Sequence, residues 1–265
     1  MLLWTPRSRA IVIGIFALVV MTVFVAPLAT VLLAGLAGSW RGPLPSDLGF
    51  AHFSDALSGE NLASLSVSLQ TAFIAGAFAL VLGTWAALAA REAPSWLARV
   101  TDAVFHLPIA VPSVAIGLGL LIAFNDRPLL LGGTRWIVIL AHAALVLAFA
   151  FSAVSAALDR LDPAYRQAAE SLGAGPVRVL LRVTLPLLLP ALGAAAGLAV
   201  ALSMGELGAT VMVYPATWKT LPVTIFALTD RGQAFQAAAC TTVLLLVTLL
   251  ALVALGRIRG RAAVR

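Results

Sequence analysis

Read from one charged residue to the next, the chain contains six long intervals without Asp, Glu, Lys or Arg. They run from Arg9 to Arg41, Glu60 to Arg91, Asp102 to Asp126, Arg135 to Asp159, Arg182 to Glu206 and Arg231 to Arg257, and the shortest still holds 23 uncharged residues. A helical crossing of the bilayer hydrocarbon takes about 20 apolar residues, so each interval is long enough to span it. In lipid every backbone N–H and C=O must be bonded internally. Runs rich in Leu, Ala and Val satisfy that as α-helices, because they lack the alternation of barrel strands. The expected fold is all-α: one polytopic domain over 1–265 with six transmembrane helices at about 11–36, 63–90, 103–124, 136–157, 187–211 and 234–256. The first run follows Arg7 and Arg9 as a signal peptide would, but its apolar stretch from Ile11 to Gly38 far exceeds an h-region of about 7–15 residues. It is expected to remain as a spanning helix.

Composition agrees and narrows the picture. Hydrophobic residues make up 62% and charged residues 11%, against about 25% charged in soluble proteins, so no sizeable extramembrane domain fits. Lys and Arg number 17 against 11 Asp and Glu, a net charge of +6, which in a soluble domain would suggest nucleic acid. Here placement outweighs the sum, because cytoplasmic loops collect Lys and Arg. With a cytoplasmic N-terminus, the inside segments hold twelve: Arg7, Arg9, Arg91, Arg99, Arg160, Arg166, Arg178, Arg182, Arg257, Arg259, Arg261 and Arg265. The outside ones hold five: Arg41, Arg127, Arg135, Lys219 and Arg231. Both termini are therefore expected in the cytoplasm, with Trp40 and Trp136 at the outer interface and Trp4 and Trp96 at the inner one. Cys240 is the single cysteine, in an apolar segment that suits packing rather than redox chemistry.

The segment from 159 to 186 has internal order. Asp162 followed by Pro163 is a helix start, with an N-cap oxygen and a proline at the first helical position. Gly173 stands where a helix end needs φ > 0, and Pro176 can open a second short helix through Val183 that carries Arg178 and Arg182. Composition alone fits an interfacial hairpin equally well. The spacing is more specific: Gln167-Ala168-Ala169, three residues, Gly173, nine residues, then Val183-Thr184-Leu185-Pro186. This resembles the EAA signature of permease subunits of bacterial ATP-binding-cassette (ABC) importers, with Gln167 and Val183 standing where that family usually has Glu and Ile. Gln keeps the reach but loses the charge, which puts in doubt any salt bridge the family's Glu makes. Ser66 to Ala72, Leu107 to Ser113 and Gly205 to Thr210 are similar to segments of the same family. Ser203 to Tyr214, Thr220 to Phe226 and Leu228 to Gly232 look like permeases for 2-aminoethylphosphonate.

The resemblance implies a type I (MetI-like) importer permease fold in the bacterial inner membrane, with 159–186 as the coupling segment that docks on a nucleotide-binding subunit. Pro186 is expected to end that docking element before the span resumes. The implied partners are an ABC ATPase dimer, a second permease subunit, a periplasmic substrate-binding protein and the lipid bilayer, with no nucleic acid. The implied cargo is 2-aminoethylphosphonate, the alternatives being sulfate or molybdate, ferric iron or thiamine; a secondary transporter is the distant alternative. No G-x-x-x-x-G-K-[S/T] loop occurs in the sequence, so no cofactor is expected and ATP is assigned to another polypeptide.

Ionisable groups inside spans are costly and functional or paired. Glu206, between Gly205 and Gly208, reads either as a pathway residue or as a structural carboxylate capped by neighbouring amides. Pro108 and Pro112, with Gly117 and Gly119, loosen the third span as a pathway-lining element needs. His106 and His142 lack the company a metal site needs and read as neutral interhelical hydrogen-bonding residues. Asp102 with His106 is the one candidate pair for an intramembrane hydrolase. The stretch from Met212 to Gln236 is too polar and Pro-interrupted to span; it reads as a re-entrant or surface helix at the outer face where a soluble receptor would dock, or as a packing lid.

Overall fold

In a computed structural model, residues 6–262 are described, with side chains for 8–257. Trp4 and Arg265 lie outside the described residues, as do the side chains of Arg7, Arg259 and Arg261. The helices are α1 (Pro6–Val20), α2 (Ala26–Leu36), α3 (Ala51–Ala56), α4 (Gly59–Glu92), α5 (Ser95–Ala110), α6 (Ser113–Ala123) and α7 (Arg135–Asp159). They continue with α8 (Pro163–Ser171), α9 (Pro176–Val179), α10 (Leu185–Met204), α11 (Gly208–Val213), α12 (Leu221–Asp230) and α13 (Ala234–Ala262). Among the described residues, five continuous helical stretches are long and apolar enough to cross a membrane: Ser8–Leu36, Gly59–Glu92, Arg135–Asp159, Pro176–Met204 and Ala234–Arg257. The run expected at 103–124 is instead α5 and α6, bent by 106°, and makes a sixth crossing when taken as one. Pro112 explains the break. Its ring disfavours helical backbone at the preceding residue, and Val111 is extended with ψ 132°.

Two π turns join helices without breaking them. Met21–Val25 links α1 to α2, and Leu180–Thr184 links α9 to α10. Each precedes a proline by one residue, Pro27 and Pro186. Proline has no N–H and its ring clashes with the carbonyl four residues back. Widening the preceding turn re-routes the bonding, so that Ala26 N–H reaches Met21 O and Leu185 N–H reaches Leu180 O. Pro186, expected to end the short helix before the span resumes, therefore does not end it. The helix runs on from Pro176, eleven residues before the expected start of the fifth span at 187.

The chain forms two compact units. In the first (1–62 and 224–245), Gly35 of α2 packs against the Ala239 backbone, 3.0 Å from where its Cβ would be. The loop after α2 closes on an antiparallel bridge between Ser39 and Ser46. Most of α1 and α2 is exposed, Phe16 to 69%, as suits a helix whose solvent is lipid.

In the second unit (63–223 and 246–265) the central element is α7. It buries Ile137, Val138, Ala141, His142, Val146, Ala150, Phe151 and Val154 among others. Its neighbour α4 offers a stripe of small residues, with Ala72, Ala75, Gly76, Ala79, Gly83 and Ala87 buried. Small side chains let helix backbones approach closely where lipid supplies no hydrophobic drive. At Gly83 a Cβ would stand 2.9 Å from Phe151 N on α7.

Candidate functional site

Two breaks meet in the second unit. α6 begins after the Val111–Pro112 break, and α11 begins after a break at Gly205–Leu207. The half-helices pack through glycines. A Cβ on Gly117 of α6 would lie 2.6 Å from the Ala209 carbonyl oxygen of α11, and one on Gly208 would collide with Ser113 Oγ.

Beside this contact is a cavity of about 220 Å³. Its polar lining is Ser113, His142, Ser203 and Glu206; Pro108, Ile109, Phe149 and Leu202 are among the apolar walls. The structure thus brings Pro108 and Glu206 together. Pro112 stands at the α6 N-cap and acts on the site by breaking the helix. Glu206 Oε1 accepts the Ala209 N–H at 2.7 Å, which caps α11. Among the described residues no basic side chain lies within 4.0 Å of its carboxylate.

His142 ties the second break together from α7. Its Nδ1 is 2.6 Å from Ser203 Oγ on α10 and its Nε2 is 2.8 Å from Thr210 Oγ1 on α11. Thr210 Oγ1 also lies 3.5 Å from the Glu206 carbonyl oxygen. The ring spans the turn carrying Glu206 and fixes both sides of it. Sequence reasoning found His142 as an interhelical group but missed Ser203 and Thr210. Their positions on either side of Gly205-Glu206-Leu207 are a signal only once the break is known.

His106 has a separate role. Its Nε2 meets Ser152 Oγ at 2.7 Å, and its Nδ1 lies 2.8 Å from Asp102 O and 3.3 Å from Asp102 Oδ1. Ser, His and Asp stand in line, yet Ser152 donates to Ala148 O at 2.7 Å within its own helix. It lies in mid-α7, where helical N–H groups are already bonded and make no oxyanion hole. The line is an interhelical tie between α5 and α7.

At the 159–186 segment, α8 starts as the sequence leads one to expect. Asp162 Oδ1 accepts the Ala164 N–H at 2.8 Å. It ends in a Schellman motif: Gly173 N–H to Glu170 O, Ala174 N–H to Ala169 O, and Gly173 at φ +80°. Gln167 and Ala168 are exposed on α8, Ala169 is half-buried, and no residue of α8 is fully buried. Val183 lies in the second π turn; Leu185 and Pro186 open α10. A cavity of about 470 Å³ lies between α8, the end of α4 and α9–α10, lined by Leu88, Leu158, Val179, Val183 and Leu187 among others. Arg166 grips two carboxylates, Glu170 Oε1 through Nε at 2.8 Å and Glu92 Oε1 through Nη1 at 2.5 Å. The bond to Glu170, then that to Glu92, raises its pKa above the ordinary arginine value. Glu92 escaped the sequence reading because it is 74 residues away in the chain; Glu170, four residues along the same helix, was within reach of it.

The residues after α11 pack on α4. Trp218 Nε1 donates to Thr71 Oγ1 at 3.0 Å, and Leu221 N–H donates to Ser68 Oγ at 2.8 Å. Arg135 stacks over Trp136 and Trp218 at 5.0 and 5.7 Å.

Helices long and apolar enough to cross a membrane, with a cavity beside two helix breaks, suit a polytopic membrane protein that passes a solute. The chain belongs to the family of binding-protein-dependent transport system inner membrane components, whose model matches residues 79–261. It is a multi-pass protein of the inner membrane and has the importer-permease fold. It is 47% identical over 98% of both chains to PhnV of Salmonella paratyphi A, provisionally named as a 2-aminoethylphosphonate transport system permease. It is 31% identical to the molybdenum transport system permease ModB of Escherichia coli K12, over 66% of this chain and 83% of that one. Two solved structures share the fold. The bacterial transporter that imports alginate matches with TM-score 0.75 at 17% identity, covering 96% of this chain and 94% of that one. The MetNI methionine ABC transporter matches at 0.65 and 18%, covering 76% and 95%.

Proposed function

We propose that this chain lines the translocation pathway of an ATP-driven importer for 2-aminoethylphosphonate. Its partners are a second permease subunit, an ABC ATPase dimer that binds and hydrolyses the ATP, and a periplasmic receptor. The cargo reading is supported by the relative at 47% identity along the whole chain. The observation that carries the pathway reading is Glu206, a carboxylate without a cationic partner among the described residues, facing a cavity large enough for a small solute. An intramembrane charge is costly unless it meets a compensating group. The ammonium of 2-aminoethylphosphonate supplies one transiently, while the capped α11 start holds the carboxylate in place.

Both termini face the cytoplasm, which puts α8 and Gly173 on the ATPase side. ATP binding closes the ATPase dimer, and the 159–186 segment, with Gln167, Ala168, Ala169 and Gly173 on its docking element, passes that closure to the helices. The bundle then alternates between inward- and outward-facing states. The test is ATPase stimulation of the reconstituted complex by receptor loaded with 2-aminoethylphosphonate. Stimulation only by receptor carrying molybdate or sulfate would remove the cargo assignment and leave the permease role.

A further inference from the structure

We infer that the Glu92–Arg166 ion pair is the tie through which motion of α8 reaches α4. The inference rests on the reading of α8 as the docking element. A rigid connection ordinarily runs through packed side chains, and α8 has none that are fully buried. On its bundle side lies the 470 Å³ cavity, so the path from α8 toward Leu88 of α4 crosses open space. Covalent continuity links α8 to α7 through Asp162 and to α9 through the Schellman turn. To α4, by contrast, Arg166 to Glu92 is the one hydrogen bond or ion pair among the described residues.

The chemistry suits a tie. Guanidinium presents several N–H donors in a rigid plane and can hold two carboxylates at once. Glu170, four residues along the same helix, takes Nε and sets the side chain's direction; Nη1 is then aimed at Glu92. Both acids and the arginine are exposed. Exposed pairs add little to stability, so the pair is dispensable for folding and available for signalling. The tie transmits a pull on α8 to the end of a 34-residue helix otherwise held by its small-residue seam and by the bonds of Thr71 and Ser68 to Trp218 and Leu221.

The experiment uses the full transporter in proteoliposomes and reads cargo moved per ATP hydrolysed. Glu92→Gln and Glu92→Arg assemble and keep basal ATPase activity, but move about two- to fivefold less cargo per ATP, the ceiling that the small free energy of an exposed pair sets. The double variant Glu92→Arg with Arg166→Glu restores most of the wild-type ratio, since an arginine again faces two acids. Raising salt on the α8 side lowers the ratio in wild type, because screening weakens exposed pairs, and leaves Glu92→Gln unchanged. A wild-type ratio in Glu92→Gln, or a double variant no better than the singles, overturns the tie. Gly173→Val separates the two readings. If it uncouples transport while Glu92→Gln does not, only the tie falls; if it too transports at the full ratio, the docking role of the segment falls with it.

Discussion

Gly117 and Ala209 face each other across the two helix breaks so closely that a Cβ at 117 would stand 2.6 Å from the Ala209 carbonyl oxygen. Gly119, two residues further along the same helix, has nothing within 4 Å of where its Cβ would be. Gly117→Val should therefore cost about 1–3 kcal/mol, as overpacking does, and abolish uptake, while Gly119→Ala transports normally. Thermal unfolding of the purified variants in detergent checks this. Equal midpoints for the two would mean that the contact is not tight.

The His142 bridge makes its own prediction. Removing the ring leaves the hydroxyls of Ser203 and Thr210 facing each other across a buried gap. Interhelical hydrogen bonds in membranes average about 0.6 kcal/mol each, so His142→Ala should destabilise by about 1–2 kcal/mol. In a double-mutant cycle with Thr210→Val the effects should be less than additive. Full additivity would show that the ring and Thr210 do not interact.

Glu206→Gln separates the two roles of that side chain. Glutamine Oε1 still accepts the Ala209 N–H, so the cap on α11 survives. What disappears is the charge. Uptake should fall about tenfold or more, on the scale of a lost charge-assisted contact, while, with selection resting on the proposed receptor, the compounds that compete for uptake should stay the same. Unchanged uptake would leave Glu206 as a helix cap alone.

Gly173 sits at φ +80°, and a Cβ there would meet nothing within 4 Å. Any loss in Gly173→Val therefore comes from backbone strain, about 1–2 kcal/mol for a residue forced into the left-handed region. Cargo uptake should collapse and the ATPase dimer should co-purify less well, while membrane insertion is unaffected. Gln167→Glu, which restores the usual family residue on the same exposed helix, should transport normally.

Orientation is checked with single cysteines in a Cys240→Ala background. Thr217 and Ser171 are both exposed, so accessibility of the side chain does not bias the comparison. Thr217→Cys should react with an impermeant thiol reagent added to intact cells, and Ser171→Cys only after the cells are opened. The reverse pattern would invert the topology.

Much of this was legible from residue order. Charge-free intervals coincide with the long apolar helices because lipid excludes charge over a fixed thickness, and Asp162-Pro163 and Gly173 marked the ends of α8 because capping is local chemistry. Pro112 signalled a loosened helix, though not a bend of 106°, since its angle depends on what α6 packs against. The partnership of α6 with α11 was not legible. It depends on Gly117 and Gly208 fitting Ala209 and Ser113, and a glycine in a helix gives no sign of its neighbour. The Arg166 pair was hidden for the same reason, and Pro186 misled because a proline inside a helix reads as a stop when the wider turn before it cannot be seen.

That wider turn has a rotational consequence. A π turn holds one residue more than the α-turn it replaces, and one residue is about 100° of azimuth. Arg178 and Arg182 therefore project in directions that an uninterrupted α-helix through Leu188 would not assign them. The residues upstream of Leu180 are out of phase with those downstream, and the five residues from Leu180 to Thr184 work as a phase shifter between the face met by the loop and the face met by the bundle. Deleting one of them would turn the loop by more than a quarter of a revolution about its own axis and return the Pro186 ring to the carbonyl that the wider turn lets it avoid.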